Sequence, residues 1–201
     1  MKKRGRPKKN IVEQEPIHVQ IDFSQITKLK DIVIDERMFE QMKSGLALDS
    51  LISHEGGVPS ATNIMLIGDP GIGKTTLLLD LIASVQLNDP SKKCLFISGE
   101  MGKKQMFKYT QRFPQFGILD TMFVSDFTDH NTKDVMEQVL NKGYDLILID
   151  SIAEILEGVR NDNGWDRKVA ESWLVDECVK NNKGDNRNKK ITRHVFTHST
   201  S

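Results

Sequence analysis

The chain has 201 residues, of which 28 are Lys or Arg and 28 are Asp or Glu, so its formal net charge is zero. This length suits one domain with a substantial core, and the sequence has no run of about 18 apolar residues of the kind that spans a membrane. Two cysteines, Cys94 and Cys178, are too few for a disulfide framework or a zinc site and suit a reducing cytosol. We therefore expect a cytoplasmic protein without membrane contact.

Positive charge is concentrated in the first ten residues. They contain six basic residues and no acidic one, so the remainder of the neutral chain is mildly acidic. Residues 1–16 lack apolar periodicity, which predicts a disordered basic arm followed by one folded domain over residues 17–201. The arm resembles an AT-hook, in which Arg4 and Arg6 would enter an A·T-rich minor groove of DNA. The alternative is a solvated tail that binds any nucleic acid by counterion release.

Three short elements are predicted between the arm and the core. Residues 17–23 alternate apolar and polar side chains, which is typical of a strand. Asp35 is placed to cap a helix that continues to about Lys43, before Gly45 breaks it. Residues 44–62 then form an entry segment that contains a Gly-Gly-Val-Pro turn.

From residue 63 onward, predicted strands alternate with predicted helices. Strands are expected at residues 63–68, 93–99, 121–126, 145–150 and 193–198, and helices at residues 74–87, 102–113, 132–142 and 168–180. The first strand should be buried, and the unbroken apolar run of the fourth predicts burial on both faces. Alternation of this kind implies parallel strands joined by right-handed crossovers. The predicted fold class is therefore α/β with a three-layer core.

Two polar stretches interrupt this pattern. Residues 161–167 are predicted to form a loop whose Trp165 either stacks on a nucleic-acid base or folds onto its own domain. Residues 180–193 are rich in Lys and Arg, which is more typical of a solvated loop than of a nucleic-acid contact.

The turn after the first core strand predicts phosphate binding. It matches the P-loop pattern of a glycine, four residues, a second glycine, a lysine and a hydroxyl residue. The expected nucleotide contacts are Gly68, Asp69, Pro70, Gly71, Ile72, Gly73, Lys74, Thr75 and Thr76. Glycines let backbone N–H groups turn toward the phosphates, and the helix N-terminus adds partial positive charge. Lys74 should reach the β- and γ-phosphates, and the Thr75 hydroxyl should bind Mg²⁺.

Two acidic residues follow other predicted strands. The carboxyl ends of parallel strands line the ligand crevice, so Asp150 is expected beside the phosphates, holding a water of the Mg²⁺ shell. Glu100 ends the strand after the P-loop helix, where a carboxylate can face the γ-phosphate and act on water as a general base. For both residues the alternative is an acid at a strand end without a role in chemistry.

In combination, these motifs resemble the RecA-type ATPase core. GDPGIGKTTLL, FISGEM and LILIDS are similar to its P-loop, strand end and acid strand, and the likeness is closest to RadA/Sms repair ATPases and DnaB-type replicative helicases. Gln105 and Arg112 also lie where RadA-like sequences tend to carry Gln and Arg. The resemblance covers about residues 44–200. It implies ATP as the nucleotide, Glu100 as the catalytic carboxylate, His198 as a polar sensor of the γ-phosphate, and assembly into homo-oligomers. The same resemblance implies either a nucleoid-associated protein or a viral protein in a host cell.

The chain also departs from that family. Residues 60–62 replace the glycine usual before the first core strand, no zinc-binding cysteine cluster precedes the core, and the sequence stops directly after the sensor strand. The expected fold is therefore a three-layer RecA-like core truncated after that strand. Two functions stay open: an Mg²⁺-dependent ATPase acting on DNA in replication, recombination or repair, and a non-catalytic, nucleotide-responsive DNA-binding module with an incomplete intersubunit site.

Overall fold

The computed structural model describes residue 24, residues 26–185 and residues 189–200. The predicted arm and the predicted strand at residues 17–23 lie outside the described residues. The chain divides into two compact units, one ending at Ile34 and one beginning at Asp35. In the first unit, Leu29–Asp31 forms a single 3-10 turn whose residues are exposed.

The second unit contains seven strands and six α-helices within the described residues. The strands are β1 (Gln41–Met42), β2 (Val58–Pro59), β3 (Asn63–Gly68), β4 (Cys94–Ser98), β5 (Asp120–Phe123), β6 (Leu146–Asp150) and β7 (Arg193–Ser199). The helices are α1 (Leu48–Ile52), α2 (Lys74–Asn88), α3 (Lys103–Arg112), α4 (Thr132–Leu140), α5 (Ile152–Asn163) and α6 (Arg167–Asn182). Short 3-10 turns lie at Glu36–Phe39, Pro114–Ile118 and Val124–Phe127.

The central sheet has five parallel strands in the order β3-β7-β6-β4-β5, and β1 and β2 form a separate antiparallel pair. Side chains of β6 alternate between the two faces. Leu146 and Leu148 pack with α2, whereas Ile147 and Ile149 pack with α4, α5 and α6. All four side chains are fully buried, as predicted, and each contributes roughly 1.5–3 kcal/mol of hydrophobic free energy. The predicted three-layer α/β architecture is confirmed.

The first core strand is less buried than predicted. In β3, Ile64 and Leu66 pack against the cluster around α2, whereas Met65 and Ile67 are 46% and 54% exposed. The sheet order makes β3 an edge strand, and the described part of the chain leaves one of its faces partly open. An apolar run indicates a strand, but it does not show whether the strand is central or at an edge.

The prediction of a helix from Asp35 to about Lys43 is wrong. Asp35 does cap a turn, because its Oδ1 accepts a hydrogen bond of 2.9 Å from the Arg37 N–H, but the turn is a 3-10 turn that ends at Phe39. The backbone then becomes extended at Glu40 and continues into β1. There the Glu40 carbonyl oxygen accepts a hydrogen bond from Arg193 Nη2 at 2.9 Å, which ties this segment to β7.

The predicted loop at residues 161–167 is also wrong in part. Helix α5 continues to Asn163 and ends at Gly164, whose φ of +64° suits a glycine at a helix end. Ile155 and Val159, one helical turn apart, bury this helix against the sheet. Trp165 packs against the same cluster, which confirms the hypothesis that it folds onto its own domain.

The basic run at residues 180–193 is not a solvated loop throughout. Helix α6 extends to Asn182, and Lys190 forms a 2.6 Å ion pair with Asp145. Arg193 is 2% exposed, and its Nε donates to the carbonyl oxygens of Val58 and Pro59 at 3.2 and 3.0 Å. The long apolar stem of Arg193 allows burial, and the backbone carbonyls satisfy its head. None of the described helices has the length and apolar character needed to cross a membrane.

Candidate functional site

The loop between β3 and α2 has the backbone that its glycines predict. Gly71 and Gly73 have φ values of +82° and +98°, in the left-handed region that other residues rarely adopt. Gly73 is the N-cap residue of α2, and no side chain caps that helix. The first N–H groups of α2 therefore remain available at the loop, together with the positive end of the helix dipole. This arrangement favours an anion.

Lys74 is the first residue of α2 and is only 9% exposed. Its Nζ donates to the carbonyl oxygens of Gly68 and Asp69 at 2.8 and 2.9 Å, so the ammonium group lies across the loop. Both acceptors are neutral, and these contacts do not neutralise the lysine charge. A phosphate at the loop would supply the opposite charge that a largely buried ammonium group favours.

Asp150, at the end of β6, receives hydrogen bonds from two other elements. The Thr75 hydroxyl donates to Oδ2 at 2.6 Å, and the Thr197 hydroxyl of β7 donates to Oδ1. Asp150 is 3% exposed, and the two hydroxyls satisfy both of its carboxylate oxygens. The structure thus brings together the two residues predicted to hold the metal.

These donors fit Mg²⁺, which prefers hydroxyl and carboxylate oxygen atoms. Among the residues that the structure describes, no group of three or more His, Cys, Asp or Glu could enclose a metal ion. Mg²⁺ does not require such a group, because the ion is usually bound by one or two protein ligands together with nucleotide phosphates and water. Thr75 and Asp150 are the residues that would hold it.

Glu100 follows β4, the strand next to β6, with Ser98 in register with Asp150. The backbone N–H groups of Gly99 and Glu100 donate to the Asp150 carbonyl oxygen at 2.8 and 3.4 Å, which brings the two strand ends together. A Cβ atom at Gly99 would lie 3.0 Å from Glu154 Cβ, so a glycine suits this close approach to α5. The Glu100 side chain is exposed, and its role as general base stays a prediction.

His198 is not brought together with Thr75 and Asp150. Side chains alternate along β7, so Thr197 turns toward α2 while Phe196 and His198 line a groove of about 550 Å³ beside α5 and α6. The Nδ1 atom of His198 is buried and has no hydrogen-bond partner in the described structure. Its role as a γ-phosphate sensor stays a prediction.

Two threonines at the site were not predicted from the sequence. The first is Thr197, whose hydroxyl contacts Asp150. The second is Thr200, whose hydroxyl donates to Asp69 Oδ1 and whose backbone N–H donates to the Gly68 carbonyl oxygen at 3.2 Å. The end of β7 is thereby joined to the phosphate loop. The signal that could have identified Thr197 is the alternation of side chains along β7. Val195 packs toward α2, and Thr197, two residues later, lies on the same face of the strand.

A cavity of about 600 Å³ opens beside the phosphate loop, between α2 and α3. Gly73, Thr76 and Asp80 line it from α2, and Tyr109, Arg112 and Phe113 line it from the opposite side. Arg112, which the sequence singles out, is therefore close to the loop. Of these residues, only Gly73 and Thr76 are among the predicted nucleotide contacts.

Comparison with known proteins identifies the family. Residues 60–172, more than half of the chain, match the AAA domain family. The chain belongs to this family. DNA repair protein RadA of Listeria monocytogenes is 38% identical over 100 residues, which cover 50% of this chain and 21% of that protein. RadA of Streptococcus pyogenes serotype M1 is 31% identical over 133 residues, which cover 66% of this chain and 27% of that RadA protein. The chain thus spans about a fifth to a quarter of the length of these relatives.

Solved structures with the same fold include two archaeal proteins. Flagellar accessory protein FlaH from Methanocaldococcus jannaschii superposes with a TM-score of 0.54 at 15% identity, covering 80% of this chain and 71% of its own. A KaiC-like protein from Pyrococcus horikoshii gives a TM-score of 0.56 at 18% identity. That match covers 81% of this chain and 71% of the archaeal chain. At these identities the likeness shows the fold alone. With the RadA matches, it confirms the predicted RecA-type P-loop ATPase core of this AAA-domain chain.

Proposed function

We propose that this chain binds ATP and hydrolyses it with Mg²⁺, and that it acts on DNA in repair, recombination or replication. The observation that carries the proposal is the contact between Thr75 and Asp150, which joins the phosphate loop to the acid strand at 2.6 Å. A DNA-related role is supported by the similarity to proteins named DNA repair protein RadA. The basic arm, with Arg4 and Arg6, is the proposed DNA contact. Assembly into homo-oligomers and a cytoplasmic location belong to the same proposal.

Each residue of the site has a distinct task in this proposal. Lys74 leaves its two carbonyl partners and binds the β- and γ-phosphates, while the N–H groups at Gly71, Gly73 and the start of α2 hold the phosphate oxygens. When bound, Mg²⁺ neutralises charge that develops on the phosphates. The Thr197 hydrogen bond fixes the orientation of Asp150 for its part in this site.

Hydrolysis breaks the bond between the γ-phosphorus and the bridging oxygen of ADP and forms a bond to a water oxygen. In the proposal, Glu100 accepts the proton that this water loses, and the leaving oxygen remains with ADP. The exposed position of Glu100 at the end of β4 gives water access to its carboxylate. Its neighbour strand ends in Asp150, so both acids lie at one edge of the sheet.

The test is release of inorganic phosphate from ATP by the purified chain, measured with and without Mg²⁺ and with and without single-stranded DNA. We expect Mg²⁺-dependent release that DNA stimulates. Lys142→Ala, an exposed lysine after α4, serves as the control for Lys74→Ala, which should abolish release. A folded chain that binds ATP but releases no phosphate at high protein concentration with DNA would overturn the enzymatic proposal and favour a nucleotide-responsive binding module.

A further inference from the structure

We infer that the exposed face of α3 binds single-stranded DNA, with its basic side chains on the phosphates and the Phe107 ring on a base. This inference deepens the proposed action on DNA, and it rests on the proposed function for the stimulation of phosphate release by DNA. It assigns a DNA contact on the folded domain, separate from the basic arm, and places that contact on the helix that follows Glu100.

The charge of α3 differs from that of the helices after it. Its ten residues include four basic side chains and no acidic one, although the chain after the basic arm is mildly acidic. Helices α4, α5 and α6 each pair basic side chains with acids three or four residues away, in the contacts Lys133–Glu137, Glu157–Arg160, Arg167–Glu171 and Glu177–Lys180. Helix α3 has no acid with which to form such a pair, so its surface stays positive.

The exposed residues of α3 form one continuous surface. Met106 is buried in the core cluster that contains much of α2, so the opposite side of α3 turns toward solvent. That side, which we call the α3 face, consists of the exposed residues Lys104, Phe107, Lys108 and Gln111. Their spacings of three and four residues make them neighbours on the helix surface.

The basic side chains of the α3 face are available to bind an anion. Within the described residues, the one ion pair that α3 forms is the 2.8 Å contact of Lys103 with Asp126. Lys104 and Lys108 lie about one helical turn apart, roughly 6 Å along the axis. A DNA strand carries a phosphate at every nucleotide, so neighbouring phosphates can contact both lysines. Each such contact releases counterions and thereby contributes to affinity.

Phe107 favours a single strand over other polyanions. It is 63% exposed and lies beside the two lysines of the α3 face. An aromatic ring among basic residues is typical of surfaces that bind single strands, because every unpaired base offers a flat face for stacking. In a duplex those faces are covered by neighbouring base pairs. Charge alone would suit any polyanion, and the exposed ring therefore identifies the kind of partner.

The connection between β4 and α3 joins the α3 face to the proposed general base. Glu100 lies in this connection, and hydrogen bonds fasten both of its ends. The Met101 N–H donates to Ser98 Oγ at 3.1 Å, and the Gly102 N–H donates to Gln105 Oε1 at 3.0 Å. A strand on the α3 face therefore binds the helix that holds one end of the Glu100 segment. In this inference, DNA stimulates phosphate release through that connection.

The experiment measures the affinity of the full chain for a fluorescent oligothymidylate and for a duplex, by fluorescence anisotropy at a series of salt concentrations. Phe107→Ala should weaken binding of the single strand by roughly 5- to 100-fold without changing its salt dependence, because stacking is lost and no charge is removed. Lys104→Ala should lower the logarithmic salt slope by about 0.7, the value for one phosphate contact on a single strand. Lys104 is a cleaner probe than Lys108, which also lines the cavity beside the phosphate loop.

Matched variants separate the α3 face from general surface effects. Phe39→Ala removes a ring that is 61% exposed elsewhere in the fold, and Lys142→Ala removes an exposed lysine after α4. Both should bind the single strand as the wild type does, and so should Phe107→Trp, which keeps an aromatic ring. Phe107→Ala should bind the duplex like the wild type. The oligothymidylate concentration for half-maximal phosphate release should rise in Phe107→Ala by the same factor as the dissociation constant.

The outcomes that would overturn the inference are distinguishable from failure of the proposed function. No binding of the single strand by the wild type, or equal affinity and salt slope in wild type, Phe107→Ala and Lys104→Ala, would overturn the α3 face. Mg²⁺-dependent phosphate release in the same preparations would leave the proposed ATPase standing.

Equal losses of single-strand and duplex affinity in Phe107→Ala would overturn the assignment to single strands. A half-maximal oligothymidylate concentration that does not change while affinity falls would overturn the connection to Glu100. If the folded chain releases no phosphate under any condition, the proposed ATPase fails, and the affinities still decide whether the α3 face binds DNA. Circular dichroism shows whether each variant is folded.

Discussion

The hydroxyl of Thr75 donates a hydrogen bond of 2.6 Å to Asp150, although the two residues are 75 positions apart in the sequence. Thr75 lies in the first turn of the helix after β3, and Asp150 ends β6, with β7 lying between those strands in the sheet. The contact therefore depends on the order of the strands as well as on the two local motifs. Thr197 of β7 binds the other oxygen of Asp150, so three elements meet at one carboxylate.

Loss of the Thr197 hydroxyl should weaken metal binding without removing a proposed metal ligand. Thr197→Val keeps the shape of the side chain but removes the hydrogen bond that orients Asp150. We expect the Mg²⁺ concentration for half-maximal ATP binding to rise by about 10-fold or more, since partners of this kind typically contribute 10- to 100-fold. Thr121→Val, at an exposed position of β5, is the matched control. Equal Mg²⁺ requirements for the two variants would contradict the role assigned to Thr197.

Acid should destabilise the protein through His194. This side chain is fully buried, burial lowers its pKa to about 4, and its Nδ1 lies 2.9 Å from Asn63 Oδ1. An unfolded histidine has a pKa near 6.5, so below that pH the unfolded state binds more protons than the folded state. The free energy of unfolding should therefore fall as the pH decreases from 6.5 toward 4, by about 3 kcal/mol in total.

Urea denaturation at a series of pH values measures this effect. His194→Gln should flatten the dependence between pH 6.5 and 4, whereas His130→Gln, at an exposed position, should leave it unchanged. The same slope in wild type and His194→Gln would show that His194 is not the group responsible.

Arg193 should stabilise the fold through the carbonyl oxygens that it satisfies. Its guanidinium donates to the backbone of Glu40, Val58 and Pro59, and burial lowers its pKa. Arg193→Met fills similar space but leaves those acceptors without their donor, so the free energy of unfolding should fall by roughly 2–4 kcal/mol. Lys183→Met, an exposed substitution after α6, should change it by less than about 0.5 kcal/mol. Equal denaturation midpoints for the two variants would contradict this account.

Removal of residues 1–10 tests the basic arm. The deletion removes six positive charges, so DNA affinity should fall and its dependence on salt should become shallower, by about 0.9 in logarithmic slope for each lost phosphate contact. Preference for A·T-rich duplex over G·C-rich duplex distinguishes an AT-hook from a non-specific tail. If full-length and shortened chains have equal affinity and equal salt slopes, the arm does not contact DNA.

The P-loop and Asp150 are predictable because each depends on local information. A glycine pattern between a strand and a helix identifies the phosphate loop. Ligands of parallel sheets bind at the carboxyl ends of the strands, so an acid at such an end, like Asp150, is expected at the binding site. Helix α5 is harder to predict, since its last turn has the polar sequence Asn-Asp-Asn, which is typical of loops. In the structure, Asn163 Nδ2 donates to the Val159 carbonyl oxygen at 2.8 Å and supports this last turn.

The remaining site residues depend on tertiary packing. Alternation along β7 separates Thr197 from His198, but the sequence does not state which face of the strand meets the P-loop helix. Asp80 and Gln115 are 35 positions apart and meet only because the turn after α3 packs against α2. No local pattern predicts such a contact, so the cavity between α2 and α3 emerges only from the structure.

We propose that this chain is an ATPase in which Lys74 binds the phosphates of ATP and Glu100 is the general base. The most direct test measures ATP affinity and phosphate release on the same variants. Lys74→Ala should weaken ATP binding at least tenfold, since it removes the cation of the loop. Glu100→Gln should lower the release rate by roughly 10²–10⁴-fold while ATP affinity is unchanged or slightly stronger, because a negative charge near the γ-phosphate is removed. Glu36→Gln, which changes an exposed acid in the Glu36–Phe39 turn, is the control. Unchanged ATP affinity in folded Lys74→Ala, or an unchanged release rate in Glu100→Gln, would contradict the account.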